Sequence, residues 1–275
     1  MENTYFCTPE EFLKNSRIPV RVMESEASMY EEISDIMVDT IVKNNEAGKN
    51  TFIICPVGPI AQYPLFVEKV NSRNISLKNV TFLNMDEYLT DDDKMISPES
   101  TLSFVGIMNK LVYSKIKPEL VMPESQRLFP VPGKEADADA LVEKLGGADC
   151  ILTGVGINGH IAFNEPPAAD EKITDEEFGN IGTRCLNTSM ATIVNNGAHK
   201  VRGALDLMPR RCISLGMKQL LAAKMIKVYL YCDWQWGIMR KGALEPKSRF
   251  TPVSYLADHP NAEMVVTKEL FNFML

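Results

Sequence analysis

Short, nearly continuous apolar runs alternate along this chain with longer stretches whose apolar residues recur every three or four positions. The runs at 18–23, 51–55, 80–84, 150–153, 212–215 and 226–231 read as strands, with a last one near 264–266. Between the first two, residues 25–44 place Met29, Ile33, Ile36, Met37 and Ile41 at the spacing of one buried helix face. Further helices are expected after the Pro56-Val57-Gly58-Pro59 turn through Val70, and at 99–115, 136–145 and 218–224. Thr8-Pro9-Glu10-Glu11 carries a helix start of its own, with a capping residue, a proline at the first helical position and a glutamate three residues after the cap.

Apolar strands separated by helical segments predict parallel pairing, because a crossover helix returns the chain to the same end of the sheet. The expected fold is α/β: a doubly wound, mostly parallel sheet flanked by helices, in a single domain over 1–275. In such sheets ligands sit beyond the carboxyl ends of the strands, which singles out the loops at 56–61, 84–91 and 154–166. The polar, acidic stretch at about 167–185 reads equally as a lid beside the third loop or as a surface excursion.

Composition narrows the partners. Hydrophobic residues make up 45% of the 275 and charged residues 24%, ordinary for a globular protein. A net charge of −7 argues against nucleic acid or an anionic membrane, both of which select basic surfaces, and leaves a small molecule as the expected ligand. Six cysteines, scattered without C-x-x-C spacing, suggest a reducing compartment. No run approaches the roughly 18 apolar residues that span a bilayer, and no basic region followed by an apolar stretch opens the chain. A cytoplasmic protein is the expectation.

The candidate chemistry is concentrated in Gly154-Val155-Gly156-Ile157-Asn158-Gly159-His160-Ile161-Ala162-Phe163-Asn164-Glu165-Pro166, directly after a strand. Glycines there allow tight turns and close backbone approach to a ligand, with Gly156 and Gly159 as candidate substrate contacts. His160 has Asn158 and Glu165 within a few residues, either of which can orient its ring for acid–base work. Asn84-Met85-Asp86-Glu87-Tyr88 also follows a strand. Asp86 there is either a base raised by desolvation or a cap for the next turn, and Glu87 stands beside it at the ligand-facing edge. His199 lies among polar residues and suggests nothing, and His259 reads as structural. Trp234 and Trp236 suit packing better than sugar stacking. There is no H-E-x-x-H, clustered Cys/His set or P-loop, and the lone G-x-G-x-x-G sits too late in the chain for a dinucleotide fingerprint.

At Asn84 through Tyr88 and Gly154 through Pro166 the chain resembles the glucosamine-6-phosphate deaminase/isomerase family, with Gly-His-Ile-Ala-Phe-Asn-Glu-Pro as the most specific match. The resemblance implies a modified Rossmann-like sheet and conversion of an amino-sugar phosphate to a ketose phosphate plus ammonia, with no metal or organic cofactor. It implies Asp86 as the base moving a proton between C2 and C1, His160 as the ring-opening group and Glu165 as its support. Relatives are often oligomeric, so a homo-oligomer is compatible with it. The related phosphogluconolactonases share the Gly-x-Gly-x-x-Gly-His stretch but typically lack the Ala-Phe-Asn-Glu-Pro tail.

The departures from that family fall at the ligand. Asn158 stands where the deaminases carry aspartate, and it cannot stabilise an imidazolium by full charge. Val57-Gly58-Pro59-Ile60 replaces a Thr-Gly-Gly-Thr type phosphate turn, losing hydroxyl donors and one N–H, although Gly58 still offers close approach. Aligned by length, the family's phosphate-binding arginine and lysine fall near Asn195 and Gln235, leaving Arg184, Arg202 or Arg240 as substitutes. The expectation is a deaminase/isomerase acting on an amino sugar whose 6-phosphate is in question. A lactonase-like hydrolase using His160 to activate water, and a catalytically weakened sugar-binding homologue, are the alternatives.

Overall fold

The computed structural model describes residues 3–274. Among the described residues ten strands are present: β1 Val20–Met23, β2 Thr51–Cys55, β3 Val80–Asn84, β4 Asp86–Leu89, β5 Arg127–Leu128, β6 Cys150–Gly154, β7 Arg184–Asn187, β8 Arg211–Ser214, β9 Ile226–Leu230 and β10 Ala262–Thr267. Seven form one sheet in the order β1-β10-β9-β6-β2-β3-β5, and every neighbouring pair in it is parallel. The expected doubly wound, mostly parallel α/β sheet is therefore present.

Its central strands, β2 and β6, are buried along nearly their whole length because both faces are covered. Phe52 and Ile54 point into one core with Leu83, Ile151 and Val228, while Ile53 and Cys55 point into the other with Phe82, Leu152 and Tyr229. The helix Glu26–Glu46 closes the second core with Met29, Ile33, Met37 and Ile41, and Ser25 caps it. At the start of the helix Pro9–Asn15 the Glu11 N–H donates to Thr8 Oγ1 at 3.2 Å and Thr8 N–H donates to Glu11 at 2.9 Å, the reciprocal cap that the sequence predicts.

The pairing departs from expectation in one place. The 212–215 run does form a strand, but β8 lies outside the parallel sheet, between β4 and β7 and antiparallel to both. Asp86 and Arg184 both pair with Ser214. One residue, Met85, separates β3 from β4. Its N–H donates to Cys55 O at 3.0 Å, and its O accepts from Leu215 N at 2.8 Å, so it rivets the small sheet to the large one. The 84–91 loop is thus largely a strand.

The stretch at about 167–185 is not placed as a cavity lid. It holds the helix Asp175–Gly179, with Phe178 buried in the first core, and enters β7. Thr183 N–H and Oγ1–H donate to Asp139, and Tyr255 Oη–H donates to Asp175 O at 2.6 Å. No residue of this stretch reaches the cavity described next.

Candidate active site

From β2 the chain crosses to β3 on one side, and from β6 it leads to β9 on the other, so the strand order switches between the adjacent β2 and β6. A crevice opens at such a switch point. Here it is a cavity of about 300 Å³, lined by the ends of β2 (Pro56 to Pro59), β3–β4 (Met85, Asp86), β6 (Gly154 to Ile157) and β9 (Tyr231, Cys232, Trp234, Gln235). That volume lies at the small end of the range for small-molecule sites, about 300–1,000 Å³. Asp86 and His160 both face this one cavity.

His160 is fixed from behind. Its Nδ1 lies 2.7 Å from Asn158 Oδ1, 3.3 Å from Glu165 Oε2 and 3.4 Å from Thr192 Oγ1. Asn158 Nδ2 donates to Glu165 Oε2 at 2.5 Å and to Ser189 Oγ at 3.3 Å, which leaves its Oδ1 as an acceptor. Surrounded by acceptors, Nδ1 carries the ring hydrogen, and Nε2, without a hydrogen-bond partner among the described residues, is left for a ligand. Burial alone would raise the Glu165 carboxyl. The His160 charge, with hydrogen bonds from His160, Asn158 and Thr192, outweighs it and holds the group at about 2. The charge that Asn158 lacks is therefore supplied by Glu165 across the same nitrogen.

The glycines of this loop have separate uses. The imidazole lies flat against Gly156, where a Cβ would fall 2.0 Å from Cε1 and 2.1 Å from Nε2. Gly156 also lines the cavity, as does Gly58. Gly159 does not: its φ of +88° closes a turn on Gly156 O, and an added Cβ would meet Ile238 at 2.9 Å. Phe163 N–H donates to Ser214 Oγ at 3.0 Å and Asn164 Nδ2 donates to Leu215 O at 2.9 Å, which anchors the far end of the loop to β8.

Adjacent carboxylates on β4 have opposite surroundings. Asp86 is buried at the cavity with no hydrogen-bond partner among the described residues, and desolvation pushes it up to about 7. Lys200 and His160 pull it down and Glu87 pushes it up. Glu87 is turned away from the cavity, contrary to a substrate-contact reading. It accepts from Tyr88 N (2.8 Å), Phe104 N (3.0 Å), Val105 N (2.8 Å) and Ser103 Oγ (2.9 Å), holding the start of the helix Phe104–Met108. The capping role considered for Asp86 belongs to its neighbour. Burial raises Glu87 as well, against those four hydrogen bonds.

The remaining wall is the helix Met190–Lys200, which supplies Thr192, Asn195, Asn196, His199 and Lys200 to the cavity. His199 and Lys200 carry no motif. Their only signal is helical spacing after the capping Ser189, and a polar stripe at that spacing ordinarily reads as a solvated face. The Lys200 ammonium sits 4.7 Å from the Phe104 ring centroid and 5.6 Å from that of Tyr88. The residue as a whole is exposed, but its charged end is crowded by these rings, and the crowding lowers its pKa against the pull of Asp86 and Glu87.

No family model matches the chain. It is 27% identical over 258 residues to a glucosamine-6-phosphate deaminase from Geobacillus sp. (strain WCH70), covering 90% of this chain and 94% of that one. To the glucosamine-6-phosphate deaminase of Thermoanaerobacter pseudethanolicus (strain ATCC 33223 / 39E) it is 28% identical over 247 residues, 87% and 90% of the two chains. Over nearly its whole length the chain is similar to glucosamine-6-phosphate deaminases. Among solved structures, a monomeric glucosamine-6-phosphate deaminase matches at a TM-score of 0.76 and 22% identity, covering 92% of this chain and 98% of that one. A 6-phosphogluconolactonase from Shewanella baltica OS155 matches at 0.61 and 16%, covering 91% and 97%, and these two likenesses describe the fold.

Set beside the deaminases, the neutral positions take on structural meaning. Asn195 and Gln235 both line the cavity. Gln235 is occupied: its Oε1 accepts from Tyr231 N and Cys232 N at 2.8 and 2.9 Å, and its Nε2 donates to Val155 O at 2.8 Å. The substitute arginines lie elsewhere. Arg240 is buried against Cys7 and the Trp236 ring, Arg184 donates to Asn164 Oδ1 at 2.9 Å, and Arg202 is exposed; none lines the cavity.

No helix of the described residues is long and apolar enough to cross a membrane. All six cysteines are free, and among the described residues no group of three or more His, Cys, Asp or Glu side chains is placed to hold a metal ion.

Proposed function

We propose that this protein is an amino-sugar deaminase/isomerase, converting a glucosamine-like aldose to the ketose with release of ammonia. One observation carries the reading: Asp86, desolvated and free of hydrogen bonds, shares a cavity with a histidine whose Nδ1 is saturated and whose Nε2 is open. The curated deaminases matched over nearly their whole length support it.

In this reading His160 Nε2 takes the hydroxyl proton from O1 of the pyranose and delivers it to the ring oxygen, opening the ring. Glu165, through Nδ1 and Asn158, stabilises the imidazolium formed in between. Asp86 then removes the C2 proton and returns it to C1, and the resulting C2 imine is hydrolysed. A carboxyl at about 7 suits both halves of that transfer, being a stronger base than an ordinary aspartate and still ionised in good part at neutral pH.

The test is ammonium release from glucosamine and glucosamine 6-phosphate, with Asp86→Asn as control. Release that the variant abolishes supports the proposal. Release that survives in Asp86→Asn removes Asp86 as the base, and hydrolysis of a sugar lactone without ammonium would favour the lactonase reading.

A further inference from the structure

The cavity holds one charged group that the proton transfers above leave unused. Lys200 Nζ has no hydrogen bond and no carboxylate within 4.0 Å among the described residues, yet it lies in the cavity wall over two aromatic faces. Rings attract a cation by their quadrupole but accept none of its hydrogen bonds in the ordinary sense, so three N–H donors remain for whatever occupies the cavity.

Its position relates it to the base. Asp86 and Tyr88 are two residues apart on β4 and share one face of that strand, and Phe104 opens the helix whose start Glu87 holds. An ammonium over Tyr88 and Phe104 therefore stands beside Asp86, and Lys200 is the strongest opposite charge acting on that carboxyl. The other titratable groups near this point are Glu87, whose carboxylate is consumed by four donors, Cys212 paired with Tyr88 across the small sheet, Glu165, His160 and His199.

We propose that Lys200 is a further catalytic residue, the electrophile that binds O1 of the open-chain sugar while Asp86 works on the C1–C2 edge. The proposal rests on the deaminase/isomerase reading. When the C2–H bond breaks, the proton goes to Asp86, its electron pair forms the C1=C2 bond, and the C1=O π pair moves onto O1. That developing oxyanion meets the Lys200 ammonium. Asp86 returns its proton to C1, making the C2=NH2⁺ group, and Lys200 gives O1 the proton it ends with as a hydroxyl. Water restores the lysine's proton, and the hydroxide so formed adds to C2 and expels ammonia. Aldose plus water thus balance against ketose plus ammonia.

The experiment compares Lys200→Met and Lys200→Arg with the wild type on glucosamine and on glucosamine 6-phosphate, with folding checked by circular dichroism. The methionine variant, similar in length and able to lie over the same rings, is expected to lose about 100-fold in kcat, the cost of removing one oxyanion donor. The loss should be alike for whichever of the two sugars is turned over, and the arginine variant should recover part of it. A rise in KM confined to the phosphorylated sugar would make Lys200 a phosphate anchor and overturn the proposal. A displaced pH profile with an unchanged plateau would reduce it to a group that tunes Asp86, and would overturn it equally. A wild type that releases no ammonium from either sugar would instead remove the parent reading.

Discussion

The two sides of the cavity are built on opposite principles. On the loop side every charge is matched: Glu165 is held at about 2 by His160 and its hydrogen bonds, and the imidazole has one nitrogen saturated. On the β4 and helix side Asp86 sits near 7 without a hydrogen bond, and the Lys200 ammonium rests on rings. The first side is ordered before any ligand arrives; the second is left for the ligand to complete. Paired groups add to stability and unpaired buried ones subtract from it, so the same contrast should be visible in folding as in catalysis.

The largest effect is expected at Asp86. Asp86→Asn should lower ammonium release by roughly 10²–10⁴-fold, the usual weight of a positioned base. In the wild type, kcat/KM should fall about tenfold per pH unit below about 7, as Asp86 takes up its proton. The stability sign follows from its raised folded value. The folded protein holds a proton that the unfolded chain releases near 4, so the favourable contribution is complete below that pH and is lost as pH rises through about 7. Asp86→Asn should consequently raise the Tm at pH 8 and leave it little changed at pH 4; a lowered Tm at pH 8 would show that the carboxylate is stabilised in a way the cavity does not reveal.

Next comes Gly156→Ala. Its methyl cannot share space with the imidazole, so the ring must swing away from the Asn158–Glu165 pair, at about 1–3 kcal/mol in stability by the usual weight of overpacking. Ring opening should suffer more than binding; normal turnover with an unshifted His160 NMR signal would break the loop half of the comparison.

Glu165→Gln tests the same side with the reverse sign. Its lowered folded value contributes stability above the unfolded value near 4.5 that is lost as pH falls towards about 2, on the order of 2–3 kcal/mol. The variant should therefore lose Tm at pH 7, where Asp86→Asn gains it, and the two moving in one direction would erase the contrast. The smallest effect is expected of Thr192→Val, which removes a long 3.4 Å contact to Nδ1 and a hydroxyl partner of Ser189, about 0.5–1.5 kcal/mol, readable as a modest fall in kcat.

The sequence disclosed the parts of this architecture that rest on periodicity. Uninterrupted apolar runs such as Thr-Phe-Ile-Ile-Cys are what a strand covered on both faces requires, and the loop at 154–166 announces itself by glycines around one histidine. The small antiparallel sheet was hidden because Asp-Glu-Tyr-Leu and Arg-Cys-Leu-Asn carry charged and polar residues in four-residue strands. The expected helix at 99–115 is the short Phe104–Met108 followed by a π-helical turn, Asn109–Tyr113, its start fixed by Glu87 from a distant strand. The helix Met190–Lys200 passes unnoticed because Asn195-Asn196-Gly197 are poor helix formers, and Lys200 becomes meaningful only through rings that folding brings beneath it.

Gln235 carries a lesson for anyone wishing to redesign what this cavity accepts. Its amide acts as a clasp, drawing the chain beyond β9 onto the chain beyond β6, so a positively charged replacement would open that clasp while adding its charge. A retrofit for anionic ligands would start better from Asn195, whose side chain fastens nothing among the described residues.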